Sequence, residues 1–526
     1  MAPPVFHPVR GLSGDPLKLT VREAVFATVA RNLDVQLRMD DRDIAASEVF
    51  IQYGIYDPVF AGSITKQRSE NLGAFDFDNV SAQKVTTTTT EAGLAQRLPI
   101  GTLLEIAAFD QRNDLSPSSS SLNPSYDSGL GIQATQPLLQ NFGTLVNNAN
   151  IMIASRQLDQ ANLSFRRELE IRIGEVLSAY WNLDFALRNL DARVQSLVAA
   201  RELERVNRAR VDVGMEPMSV LLQTQADVAA REFDVADSEA QLILAQDVLL
   251  SAMAWGMEDD YKDWDRPIMP AESPSYDAEI RVSDSYAFQQ ALMRRPDYLS
   301  AEKDLDIADI NRRVARQQRL PELNAFGGYN SSGLDDSWSG SWGDTTDVRY
   351  EGYNFGAEFR FPLFNRTRRG QFRQAVDLVE RAENVLLRFE LQIRNEVRDS
   401  TRGIRTALVQ IEASQRRVKA AEENLISETR RLEVGESTTF EVLDFQDDLA
   451  EARAAEARAL ADLQIALVNL GTSTSVLLDV VGVQYEDQPA PGGFDLGFRP
   501  DDGVDVRVAD TWKDWREMLR SGQGTF

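Results

Sequence analysis

Along residues 147–213 the apolar positions keep a strict rhythm. Leu169, Ile173, Val176, Tyr180, Leu183, Leu187, Leu190, Val194 and Leu197 are spaced alternately by four and three. That heptad seam predicts a long helix packed as in a coiled coil. At 1.5 Å per residue the stretch would extend roughly 100 Å, far beyond a globular domain. Residues 366–434 repeat the rhythm with more charge, and their Arg/Glu-rich flanks predict a solvated outer face. Each rod ends on a glycine, in VDVGMEPMSVLLQTQAD at 211–227 and LEVGESTTFEVLDFQDD at 432–448. Glycine takes positive φ at little cost and so closes a helix, while Pro217 suits the first turn of a new one. The tips at 213–217 and 434–438 therefore predict two antiparallel helical hairpins, with return helices over 218–253 and 439–470. Amphipathic helices predicted over 20–53 and 284–319 precede Pro58 and Pro321. They are long enough to cover the half of each rod that its return helix leaves bare.

Between those helices the period changes from helical to two. In YNFGAEFRFPLF the set Tyr353, Phe355, Ala357, Phe359 and Phe361 alternates with Asn354, Gly356, Glu358 and Arg360. Leu130, Ile132 and Ala134 alternate with Gly131, Gln133 and Thr135 in the same way. Alternation of this length suits a barrel strand with an apolar exterior and a polar lumen, and equally a strand half-buried on a soluble core. The strands sit between very long helices with no other layer to cover them, which favours the barrel. Their separators, SPSSSSLNPS and SSGLDDSWSGSWGDTTD, read as long polar surface loops. TTTTTEAGLAQRLPIGTLLEIAAFDQ reads as an extra hairpin over 86–112 turning near Pro99, Ile100 and Gly101. The pattern alone allows its strands to join the main sheet or to stand above it.

The order of elements occurs twice. At a shift of 263, Arg31, Asp34, Asp43, Ile44, Ala45 and Pro58 meet Arg294, Asp297, Asp306, Ile307, Ala308 and Pro321. At a shift of 221, Glu175, Arg210, Val213, Gly214, Leu222, Gln225 and Asp227 meet Glu396, Arg431, Val434, Gly435, Leu443, Gln446 and Asp448. The chain is a duplication, and the first copy carries 263 − 221 = 42 extra residues in its β-segment. The expected organisation is a tail at 1–17, a first repeat at 18–255 with its β-segment at 56–137, and a linker at 256–282. A second repeat at 283–481, with its β-segment at 321–362, and an acidic tail at 482–526 complete it.

Composition narrows the chemistry. A net charge of −26 and a pI near 4.6 argue against nucleic acid, which needs a basic surface. The charge suits a water-filled, cation-preferring passage. With no cysteine there is no disulfide, thiolate metal site or thiol nucleophile. The single histidine, His7, lies in the Pro-rich leader MAPPVFHPVR, where a tail position is expected. No P-loop, metal-ligand cluster or nucleophile motif occurs, so neither an enzyme nor a cofactor is expected. No run of 18 apolar residues predicts a transmembrane helix, and a secretory leader is expected to be absent from the sequence as given. Neither point bears on a membrane β-barrel, whose strand signal is weak. Trp512 and Trp515, in the acidic tail, carry no assignment.

The duplicated order, with RRPDYLSAE (294–302), LPELNAFGGY (320–329), TQPLLQNFG (135–143), FPLFNR (361–366) and the tip stretches VGMEPMS and VGESTTFEVLD, resembles the outer-membrane factor family of TolC-like channels. The resemblance spans roughly 18–481. It implies a mainly α fold with membrane β, in which long coiled-coil hairpins form an α-barrel and the strands join a shared trimeric β-barrel. It further implies a homotrimer, four strands per protomer in a twelve-stranded barrel, outer-membrane lipid around that barrel, and a large periplasmic portion. A periplasmic adaptor protein, and through it an inner-membrane transporter, would be its partners in efflux or type I secretion. Glu441 and Asp444 match acidic positions that line the family's periplasmic entrance. Three residues apart, they share one helix face, and crowding in a trimer would raise some of their pKa values. The first copy has Val220 and Gln223 there instead. A solvated helix face is the plain alternative. Val213, Gly214, Met215, Val434, Gly435 and Glu436 are the implied adaptor contacts, Glu436 departing from the apolar residue usual in the family. Phe60, Tyr126, Tyr329, Tyr353, Phe359 and Phe361 suit either membrane-interface girdles or core packing. The competing function is a soluble coiled-coil periplasmic scaffold or adaptor without a pore.

Overall fold

The computed structural model describes residues 7–72, 82–116, 121–256, 261, 264–276, 280–492 and 506–508; Trp512 and Trp515 lie outside them. The heptad stretch forms one helix, α3 (Ala149–Asp212), and its counterpart is α8 (Arg366–Glu433). α4 (Met218–Ala252) returns along α3, and α9 (Thr439–Thr474) returns along α8. Leu169, Ile173, Val176, Tyr180, Leu183, Leu187, Leu190 and Leu197 are all buried, so the seam is the packed stripe of the rod. Ile393, Val397, Ile404 and Ile411 do the same on α8, against Leu463 and Leu467 of α9. α3 also packs along α9, which joins the two repeats side by side.

The two amphipathic stretches are each broken once. The first is α1 (Val21–Arg31) and α2 (Leu33–Tyr53); the second is α5 (Asp284–Arg294) and α6 (Pro296–Gln317). Arg295 leaves helical geometry because the ring of Pro296 clashes with a helical residue before it. Asn32 leaves it by turning its side chain onto the N–H groups of Asp34 and Val35, a cap that starts α2. Both breaks meet the end of a return helix. Asn32 Nδ2 donates to Ala252 O of α4 at 2.9 Å, and the buried Arg295 donates to Ser473 O of α9 at 3.4 Å. The return helix and α2 or α6 thus stand end to end along the rod. His7 is not in a free tail: its Nε2 lies 2.8 Å from Asp191 Oδ1 on α3.

The six long strands form one antiparallel sheet in chain order, beside two small two-stranded pairings, Leu17–Leu19 with Ile268–Pro270 and Val483–Gln484 with Arg507–Val508. Its strands are β1 (Val59–Leu72), β2 (Ala82–Arg97), β3 (Leu103–Ser116), β4 (Ser125–Pro137), β5 (Glu322–Asp335) and β6 (Tyr350–Arg360). The extra hairpin is β2–β3, inside the sheet and fully paired on both sides. Four strands per protomer is therefore corrected to six. The separator after β5 also differs from its reading as a loop. It contains a helix, α7 (Trp338–Thr346), started by Ser337 accepting from Gly340 N.

One buried group couples the fold to pH. Glu170 on α3 is wholly enclosed, held by Ser475 Oγ at 2.7 Å and Arg166 Nε at 3.3 Å. Burial raises its carboxyl to about 7, against the pull of Arg166, Ser475 and Arg167. A raised carboxyl favours the protonated fold, so its contribution is fully present below the ordinary 4.5 and is lost as pH climbs through about 7. Thermal unfolding of Glu170→Gln should lack this decline. Between pH 4.5 and pH 8, stability should shift toward the variant by about 2–3 kcal/mol relative to wild type; equal pH slopes would contradict the assignment.

Candidate functional site

Both tips are built alike. α3 ends at Val213, and Gly214 at φ +75° lets Met215 N donate back to Arg210 O at 2.8 Å. α8 ends at Val434, and Gly435 at φ +77° lets Glu436 N donate to Arg431 O at 2.8 Å. These are Schellman-type closures, which satisfy the last carbonyls of each helix. Pro217 is the residue just before α4 rather than inside its first turn. Val213, Met215 and Val434 are 70%, 78% and 72% exposed, and Glu436 is exposed beside them. Among the described residues nothing covers this apolar end.

Glu441 and Asp444 are both exposed in the first turns of α9. Glu441 also closes a capping box: Thr438 Oγ1 accepts from Glu441 N, while the Glu441 carboxylate accepts from Ser437 Oγ at 2.8 Å and Thr438 N at 3.1 Å. The Ser437 hydrogen bond, then the Thr438 N–H, holds this carboxyl below the usual range. Asp444 takes no part in the cap.

Above these carboxylates lies a node that sequence reading missed. Arg231 on α4 is buried, with Nε 2.7 Å from Asp227 and Nη1 2.7 Å from Asp447 of α9. It also donates to Ser196 Oγ on α3, and to Leu443 O at 3.1 Å. One guanidinium thus ties three helices and both repeats together just beyond the tip. Burial holds the Asp447 carboxyl above its usual range despite Arg231, and Asp227 and Asp234 push the same way.

At the other end the sheet has two unlike faces. Strand pairing sets Phe60, Leu94, Ile106, Ile132, Tyr329 and Tyr353 in one row across all six strands. The next row of the opposite face is Val59, Ala95, Glu105, Gln133, Gly328 and Asn354, and these line a hollow, so the more polar face is the concave one. Tyr126 and Phe359 share the apolar face by alternation; Phe60, Tyr353 and Phe359 are 64–77% exposed. Phe361 follows β6 and is less open. None of these aromatics is buried, which sets aside core packing within the protomer.

Two more aromatics join them. α7 lies on the apolar face, where Ser341 and Thr345 contact Ser128 Oγ at 2.6 and 2.7 Å and Thr345 O accepts from Ser331 Oγ. Gly333 permits this approach, since a Cβ there would stand 2.0 Å from Ser341 O. Trp338 is left exposed and Trp342 donates to Asp110 at 3.3 Å. The Trp-x-x-x-Trp spacing was the available signal, masked by the Gly, Ser and Asp around it. Among the described residues no helix is long and apolar enough to cross a membrane, and no acidic or histidine cluster suits a metal ion.

Comparison with known proteins agrees with this architecture. The outer membrane efflux protein BepC of Brucella suis is 25% identical over 358 residues, 68% of this chain and 74% of its own length. The outer membrane protein TolC of Vibrio cholerae is 23% identical over 380 residues, 70% of this chain and 80% of its own. Among solved structures, the CmeC outer membrane channel of Campylobacter jejuni matches with a TM-score of 0.63 at 15% identity, covering 87% of this chain and 86% of that one. A CusC structure matches with a TM-score of 0.64 at 15% identity, over 90% and 99%. These likenesses show the fold, that of TolC-like outer membrane channels. The family model for outer membrane efflux proteins matches residues 80–254 and 287–475, and the chain belongs to that family.

Proposed function

We propose that three copies of this chain close a shared β-barrel and α-barrel, forming the passive outer-membrane exit duct of a tripartite efflux pump or type I secretion system. The observation that carries this reading is the sheet: an apolar row of exposed side chains on one face, a hollow that takes in Glu105, Gln133, Asn330 and Asn354 on the other, and two edges with no strand partner among the described residues. Unpaired backbone cannot persist in hydrocarbon, and cyclic symmetry supplies the missing partners from identical chains. The names of relatives, including a cation efflux system protein CusC of Escherichia coli, support an export role. The pore-less scaffold reading leaves the apolar row without cover. Purified protein should run as three chains of 58.8 kDa and conduct in a planar bilayer; a soluble, non-conducting monomer would sink the proposal.

The helical tips are the periplasmic end of this duct, where Val213, Met215 and Val434 offer an adaptor protein apolar surface with nothing of its own to bury against. Glu441 and Asp444 from each protomer then ring the constriction and favour cations. Because Asp444 is free of the cap, it separates charge from structure. Asp444→Asn should lower cation preference, seen as a reversal potential moved toward zero in a salt gradient, with an unchanged thermal midpoint. No change in selectivity would remove Asp444 from the ring.

Arg231 is the protomer's own restraint on the tip. Truncating one partner of a buried ion pair typically costs about 3–5 kcal/mol. Arg231→Ala should therefore loosen the α4–α9 contact and raise open probability several-fold in single-channel recordings, while the trimer persists on a sizing column. An unchanged open probability would make the node merely structural.

A further inference from the structure

The outer-membrane wall of this protein is built from more strands than four per protomer supply. We infer that β2 and β3 span the membrane with the other four, so that three copies close an eighteen-stranded barrel whose bore is about half as wide again as a twelve-stranded one. This rests on the trimeric duct proposed above. Three observations carry it.

First, the hairpin is not an appendage on the sheet edge. β2 pairs with β1 from Val59–Ala95 to Leu72–Ala82, and β3 pairs with β4 from Leu103–Thr135 to Asn113–Ser125. Removing it would separate β1 from β4 by two strand widths. Second, its faces are in phase with its neighbours. Leu94 and Ile106 continue the apolar row between Phe60 and Ile132, while Ala95 and Glu105 continue the row between Val59 and Gln133. A hairpin standing clear of lipid has no reason to keep that phase. Third, its turn at 98–102 reaches the junction with the helices. Ile100 O accepts from Gly143 N at 3.1 Å just before α3, and Gln96 Nε2 donates to Tyr56 O at 3.3 Å just after α2. The hairpin therefore runs the full height of the sheet, and strands of 14 and 16 residues exceed the 9–11 that cross a bilayer.

At a strand spacing near 4.8 Å and a tilt near 40°, twelve strands close at a backbone diameter of ~24 Å and eighteen at ~36 Å. The cross-section roughly doubles, while the helices per protomer still follow the duplicated hairpin plan. Passage is then limited at the helical tips, and the barrel places no size filter on cargo that has cleared them.

The chain has no cysteine, so single introduced thiols report without background. In reconstituted vesicles, Leu94→Cys and Ile106→Cys should react with a charged maleimide at least tenfold more slowly than Ala95→Cys and Glu105→Cys. Ile132→Cys and Gln133→Cys on β4 set the protected and reactive limits. Wild-type particles imaged by electron cryo-microscopy should show eighteen strands. Labelling of the Leu94 and Ile106 thiols as fast as the Glu105 thiol, or a twelve-stranded wall in a trimer, would overturn the inference and leave the duct standing. A particle of any other stoichiometry would overturn the duct reading, and the eighteen-stranded count with it.

Discussion

Backbone hydrogen bonding in a medium without water is the constraint on which this architecture depends. A helix satisfies its own N–H and C=O groups, so the rods need only bury one stripe of side chains. A sheet cannot do the same, because its first and last strands always present an open ladder. Here those strands are β1 and β6, fifth neighbours of each other across a sheet whose apolar face is exposed. The chain therefore divides into a part that is nearly self-sufficient and a part that is incomplete alone. Duplication serves both ends. It supplies each protomer with two hairpin rods, and it brings β4 of the first copy against β5 of the second to make one sheet.

The two copies share their helical plan, differ by the β2–β3 hairpin and are unequal in chemistry. Asn32 and Arg295 occupy equivalent places at the shift of 263, and both join a return helix to the helix standing above it. The first junction is neutral and uses a cap. The second is ionic: Arg295 is held by Asp297 at 2.6 Å and by Glu396, and these carboxylates raise its pKa against the effect of burial. A buried, paired guanidinium resists displacement because its partners would be left uncompensated. The tips diverge in the same way. Pro217 precedes α4 without a side-chain cap, whereas Thr438 and Glu441 form a capping box on α9. The two halves of a tip ring thus need not move alike.

Sequence reading reached the parts whose signal is periodic and local. The heptad of 169–197 names the buried stripe of α3, with Val194 only partly buried, and the alternation from Tyr353 to Phe359 names the exposed apolar face of β6. The breaks at Asn32 and Arg295 were both missed, each stretch being read as one helix; Pro296, which disfavours a helical residue before it, was the available signal for the second, while asparagine is only a frequent cap. Three features needed the third dimension. The threonine run at 86–90 has no apolar alternation, and only its partners show which face of β2 is which. α7 is rich in residues that form helices poorly, and it exists because Ser341 and Thr345 dock on a sheet relieved of side chain at Gly333. Nothing in the sequence sets Arg231 apart from the other charges of 218–253. Its burial comes from Asp447, Leu443 and Ser196, which lie on other helices and partly in the other repeat.

Gating follows from where the molecule is least supported. The sheet end is held by continuous ladders whose loss would leave polar groups in lipid, so its energy rises steeply with any opening. The middle of the rods is held by stacked leucine and isoleucine and by the Asn32 and Arg295 junctions. Beyond Arg231 toward the tips, few apolar residues are buried; Leu221 and Val442 are among the last. Elements drawn from the low end of local stability are the ones that move in binding and gating. A partner that covers Val213, Met215 and Val434 moves the tips only if it binds one arrangement of them better than another, and that difference is the whole of its leverage. In the proposed duct the wide wall and the narrow, weakly tied tips are thus complementary: one would fix the hole through the membrane, and the other would decide when it connects to anything.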